Sequence, residues 1–149
     1  MSASRAWQFC RDRRGVSAIE FAMIAPIAGF AMLGAIDLGN AAQQQIALRE
    51  AVRTGGQYAI HFPTNPTAVK SAVTSALPAG WTLTNPGGVP VVTCSCGTYG
   101  TYTDCSAPPA TCTTPMLVTI TATKAYTALE PWVAAAIPSL TATYVTRFQ

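Results

Sequence analysis

Between Val16 and Leu38 the chain carries only two ionisable residues, Glu20 and Asp37, in a run rich in Ala, Ile, Met, Phe and Gly. No other feature constrains the fold as strongly. As a helix rising about 1.5 Å per residue, about 23 positions reach roughly 34 Å, enough for a bilayer core of about 30 Å. Arg5, Arg11, Arg13 and Arg14 all precede the run, against the single acid Asp12. The positive-inside bias then keeps the N-terminus in the cytoplasm and sends the rest outside. A buried helix in a soluble domain is disfavoured, because a chain of 149 residues has too little left to cover it on all sides. A cleavable secretory signal would use Gly39-Asn40-Ala41 as its small-x-small site, yet the apolar stretch is longer than the usual h-region of about 7–15 residues. An uncleaved anchor remains an alternative, with Glu20 tolerated near the interface by snorkelling.

Glu20 does not belong to a plain anchor, since a carboxylate inside the apolar segment costs several kcal/mol unless it is paired. It follows Gly15 by five residues and is itself followed by Phe21. That spacing resembles the processing site of type IV-like prepilins, cut after the glycine to leave Glu at the fifth mature position. The longer pattern Arg14-Gly15-Val16-Ser17-Ala18-Ile19-Glu20-Phe21-Ala22-Met23-Ile24-Ala25-Pro26 resembles the TadE-like family, minor pseudopilins of the tight-adherence (Tad/Flp) pilus system. The Flp-type motif has Glu-Tyr where this chain has Glu20-Phe21, which keeps the aromatic. The likeness is strong over about the first 60 residues and looser at the Cys94-x-Cys96 cluster. It implies cleavage between Gly15 and Val16 by a prepilin peptidase, with Glu20 and Phe21 as the processing and assembly motif. It also implies partners: the inner membrane, the major pilin, other minor pseudopilins and the Tad inner-membrane assembly proteins.

These readings divide the chain into a cytoplasmic leader over 1–15, a transmembrane segment over 16–38 and a periplasmic or extracellular pilin-like domain over 39–149. The net charge of +3 resides in the leader; beyond Gly15, Arg49, Arg53, Lys70, Lys124 and Arg147 are matched by Glu20, Asp37, Glu50, Asp104 and Glu130. A neutral exported part offers no basic surface for nucleic acid. One histidine, scattered acids, no phosphate-binding Gly loop and no Ser motif with a partner base leave no catalytic constellation, so no enzyme and no cofactor are expected.

The helix pattern continues past the apolar run. Gln43 to Arg53 holds helix formers with no breaker before Gly55-Gly56, and Leu48, Val52, Gly55 and Ala59 form one apolar stripe. One helix over about Val16–Ala59 is expected, kinked or loosened at Pro26. Small residues (Ala18, Ala22, Ala25, Gly29) share one of its faces, a pattern that permits close helix–helix approach in lipid. Asn65 should cap a second helix opened by Pro66, with Ala68, Val69, Ala72, Val73, Ala76 and Leu77 inward. The period then changes to that of strands: Trp81–Thr84, ended by Asn85-Pro86-Gly87-Gly88, then Val89–Thr93, Met116–Tyr126 and Leu140–Phe148. Glu130–Pro138 connects the last two, with Trp132 as its expected anchor. His61, the only histidine, reads as structural. The fold class is α+β: a long transmembrane and stalk helix packed on a small, mostly antiparallel, four-stranded sheet.

Cys94, Cys96, Cys105 and Cys112 fall in the exported part and are expected in a loop between two strands, whereas Cys10 lies in the leader. An even number of cysteines in an oxidising compartment reads as two disulfides. Pairing Cys94 with Cys96 would close a strained ring, which leaves the crossed and the nested arrangements open. Zinc is the rival, disfavoured by a Cys-x-Cys spacing tighter than usual. The Tyr, Thr, Ser and Gly content of the loop also resembles recognition loops. The expected function is a minor pseudopilin, structural or assembly-related. The alternative is an uncleaved, membrane-anchored binding module whose stapled loop engages a surface ligand.

Overall fold

The computed structural model describes residues 14–96, 101–102, 105 and 116–148. Helix α1 runs unbroken over Arg14–His61, 48 residues with Pro26 inside, or about 72 Å at the helical rise. Its continuity follows from composition: Ala, Leu, Ile, Met and Gln dominate, and the Pro26 ring costs one backbone hydrogen bond without ending the helix. Phe62-Pro63 stops it, and Asn65 opens α2 (Pro66–Ala76) as expected, its side-chain oxygen accepting from the Ala68 N–H at 3.0 Å.

The sheet has four antiparallel strands in the order β2-β1-β3-β4. These are β1 (Val91–Cys96), the two-residue β2 (Thr101–Tyr102), β3 (Met116–Ala125) and β4 (Ser139–Phe148). The short α3 (Pro131–Ala136) links the last two. Alternation places Met116, Val118, Ile120 and Ala122 inside, facing Val92 and Cys94 of β1 and Leu140 and Ala142 of β4. This inner face packs on Leu48, Ala51, Val52 and Ala59 of α1 in one core. Outside it, Thr121 pairs with Thr143 and Thr123 with Thr141 through their hydroxyls.

Gly55 and Gly56 let the elements approach closely. A Cβ on Gly55 would run into Val73 of α2, and one on Gly56 into the Tyr144 ring of β4. The glycines that weaken α1 by intrinsic propensity are therefore the surfaces against which α2 and β4 pack.

Four expectations need correction. Trp81–Thr84 is not a strand. Of its backbone groups only Thr84 bonds to β3, its N–H donating to the Thr123 carbonyl at 2.8 Å, and the Asn85 side chain then accepts from the Thr123 N–H at 2.7 Å. A side chain completes the ladder there because the backbone is already turning into the 3-10 turn Pro86–Gly88. The second strand starts and ends two or three residues later than expected, at Val91–Cys96, because Pro90 has no N–H to give a ladder. Cys94 and Cys96 consequently lie on β1, not in the loop after it, since β3 continues as a partner as far as Met116 opposite Cys96. In α3 the buried anchor is Val133; Trp132 is 54% exposed.

Candidate functional site

Gly15 and Val16 occupy the first turn of α1, where backbone N–H groups have no intrahelical partner and the helix frays most readily. Glu20 and Phe21 follow one turn later, both exposed, Phe21 at 72%. Val16 and Glu20 are four residues apart and so stand on the same helix face. From Ser17 to Leu33 none of the described residues of the domain covers the helix: Ile19, Met23, Ile24, Ile27, Phe30 and Met32 all project outward. Pro26, Gly29, Phe30 and Leu33 line a shallow apolar concavity of about 330 Å³ on this stretch. By length and composition α1 can cross a membrane.

The domain first touches α1 at Gly34, where an added Cβ would lie 2.7 Å from Cζ2 of Trp132. One turn on, the wholly buried Asp37 forms a junction that sequence reasoning missed. Its two carboxylate oxygens accept from the backbone N–H groups of Leu129 (3.0 Å) and Glu130 (2.9 Å). Its backbone carbonyl accepts from the Tyr126 hydroxyl at 2.8 Å. Burial raises the Tyr126 pKa above its ordinary value, and the Asp37 carboxylate adds to the effect. Further along α1, Gln44 accepts from Lys124 Nζ at 3.0 Å and Gln45 donates to the Thr141 carbonyl at 2.8 Å. Lys124 also sits 4.7 Å over the Trp81 ring. The available signal for this junction was a lone acid at the end of an apolar run, where a charge persists only if something receives it.

Of the cysteines, Cys94 and Cys105 are buried and disulfide-linked, with Cα atoms 5.6 Å apart at a sequence separation of 11. Cys96 is buried and also disulfide-bonded, and Cys112 lies outside the described residues. Among the described residues no three His, Cys, Asp or Glu side chains gather as a metal site. His61 is exposed in the last turn of α1. The processing motif and the cysteines are not brought together: Gly15 lies 19 residues below Gly34, about 28 Å along the helix.

The geometry is that of an exposed apolar stalk carrying a small α+β head. Residues 15–57 match the family model described as TadE-like protein, which is the family the N-terminal motif resembles. The match covers the exposed helix, Asp37 and the first part of the packed stalk, under a third of the 149 residues. That family is one of pilus structural and assembly proteins. No curated protein and no solved structure matches the chain.

Proposed function

We propose that this chain is a minor pseudopilin of a Tad/Flp-type pilus, non-enzymatic, matured by a prepilin peptidase that cuts between Gly15 and Val16. One observation carries the reading: Gly15, Glu20 and Phe21 stand at the head of an uncovered apolar helix, inside the region that matches the family. In this account residues 1–15 remain in the cytoplasm, α1 spans the inner membrane and the head lies in the periplasm or on the fibre. The Asp37 junction favours this over a secretory signal, because a cut after Ala41 would remove Gly34 and Asp37 from the head they help to close. A β-carbon at residue 15 would obstruct the close approach of a peptidase to the scissile bond. Gly15→Val should therefore accumulate as a precursor heavier by the leader, and normal maturation of that variant would refute the reading.

Glu20 is assigned to assembly after the cut. Cleavage creates an ammonium on Val16 that is largely protonated at neutral pH. That charge and the Glu20 carboxylate are both costly in an apolar bundle, and each suits the other. If a neighbouring subunit supplies one half of the pair, the carboxylate sets the register between subunits. Glu20→Ala should still be cleaved and reach the membrane, yet fail to co-purify with the major pilin and the other pseudopilins. Undiminished co-purification of both Glu20→Ala and Glu20→Gln would remove this role.

A further inference from the structure

We propose that Leu129 and Trp132 form a second membrane foothold, placing the head of the protein against the headgroup–acyl boundary of the bilayer that α1 crosses. The proposal rests on the reading of α1 as a membrane span. Leu129 is 70% exposed and Trp132 54%, although both are large and apolar. Their position along the stalk is fixed by α1 itself. Trp132 lies over Gly34, and the Leu129 N–H is held by the Asp37 carboxylate. Both side chains therefore stand level with residues 34–37 of the helix.

Length then decides where that level falls. The apolar stretch of α1 before Gly34, Val16 to Leu33, is 18 residues, only about 27 Å, and a hydrocarbon core of about 30 Å needs about 20. The core must run past Gly34 to about Ala35, so its outer edge meets Trp132, with Asp37 and Leu129 just beyond. The facing connector carries one charged residue, Glu130, between Leu129 and Leu140. Indole suits such a place, since its ring is apolar and its N–H can stay with water and headgroups. Continuity with the span selects lipid as the occupant. The foothold would fix the tilt of the head relative to the membrane before a subunit is extracted into a fibre.

The test uses the full chain in vesicles of phosphatidylcholine and phosphatidylglycerol. Trp7→Phe with Trp81→Phe leaves Trp132 as the sole tryptophan. A second protein moves the probe to Leu129→Trp with Trp132→Phe, and a third to Phe30→Trp with Trp132→Phe, both lacking Trp7 and Trp81. Each is first checked for an intact Cys94–Cys105 disulfide. Blue-shifted emission at positions 132 and 129, quenched more by lipids brominated near the headgroup than near the chain end, is the expected result. Position 30 should show the reverse depth preference. Quenching at position 30 by bromolipid, with 132 and 129 quenched only by aqueous iodide, overturns the foothold and leaves the span intact. Iodide quenching at all three positions overturns both. Shielding of 132 and 129 from both quenchers, lost on dilution into excess lipid, would mean that a second copy covers the patch, and it also overturns the foothold.

Discussion

Asp37 ties the β3–α3 connection to the stalk helix through both oxygens of a buried carboxylate. A carboxylate at the end of an apolar helix is affordable here because two backbone N–H groups of the β3–α3 connection receive it, and such charge-assisted bonds are stronger than neutral ones. Asp37→Ala leaves both amides without their acceptor and should cost about 2–4 kcal/mol. Asp37→Asn keeps one acceptor oxygen and should cost less. The denaturant midpoint of the full chain in detergent micelles reads both, and an unchanged midpoint for Asp37→Ala would show that the junction contributes nothing. Tyr126 gives the same junction a pH dependence. Its folded pKa is raised by burial first and by Asp37 second, so the unfolded chain releases this proton at a lower pH than the folded one. The stabilisation is fully present below the ordinary tyrosine value of about 10 and is lost as pH rises from there through the folded pKa. Tyr126→Phe should flatten that alkaline decline, and an equally steep decline in the variant would exclude Tyr126 as its source.

At the scale of elements, the strand carrying the cysteines determines how the distal loop is held. Cys94 faces the core from β1 and binds Cys105, so the bond joins the sheet interior to the chain beyond β2. Closing a loop of about a dozen residues is worth about 3 kcal/mol in the chain-entropy model. The observed pair agrees with the crossed arrangement, whose other bond joins Cys96 to Cys112. Peptide mapping under non-reducing conditions should recover Cys94–Cys105 and Cys96–Cys112, with no alkylatable thiol among the four. A Cys94–Cys112 peptide, or stoichiometric zinc on reduced thiols, would contradict this. The elements legible in the sequence are those written by local pattern: the Leu48, Val52, Gly55, Ala59 stripe, the Asn65-Pro66 start of α2 and the alternation along β3 and β4. Expectations failed where a distant partner decided the outcome. Trp81–Thr84 has strand composition but finds only one backbone bond on β3, and β1 extends through Cys96 because β3 is there to pair with it. The Asp37 junction joins residues 92 and 93 positions apart, and no local spacing encodes it.

The whole molecule is one helix doing two jobs, uncovered up to Leu33 and forming part of a closed core from Ala41 to Ala59. The two halves make opposite demands. The lower half needs an apolar surrounding that the described residues do not provide, and the upper half supplies the ridge on which the sheet and α2 fold. The helix is continuous through Asp37, so the head and the uncovered segment are parts of one element. Gly15, Glu20 and Phe21 lie at the end of the helix far from the head, so the proposed cut would remove the basic leader without disturbing the head. The most direct measurement is the N-terminal sequence of the protein recovered from membranes of cells that carry the Tad system. The account predicts a mature chain beginning at Val16. A chain beginning at Met1 or Ser2 would make it an uncleaved anchor with a stapled binding loop, and one beginning at Ala42 a secreted product; either would contradict the account.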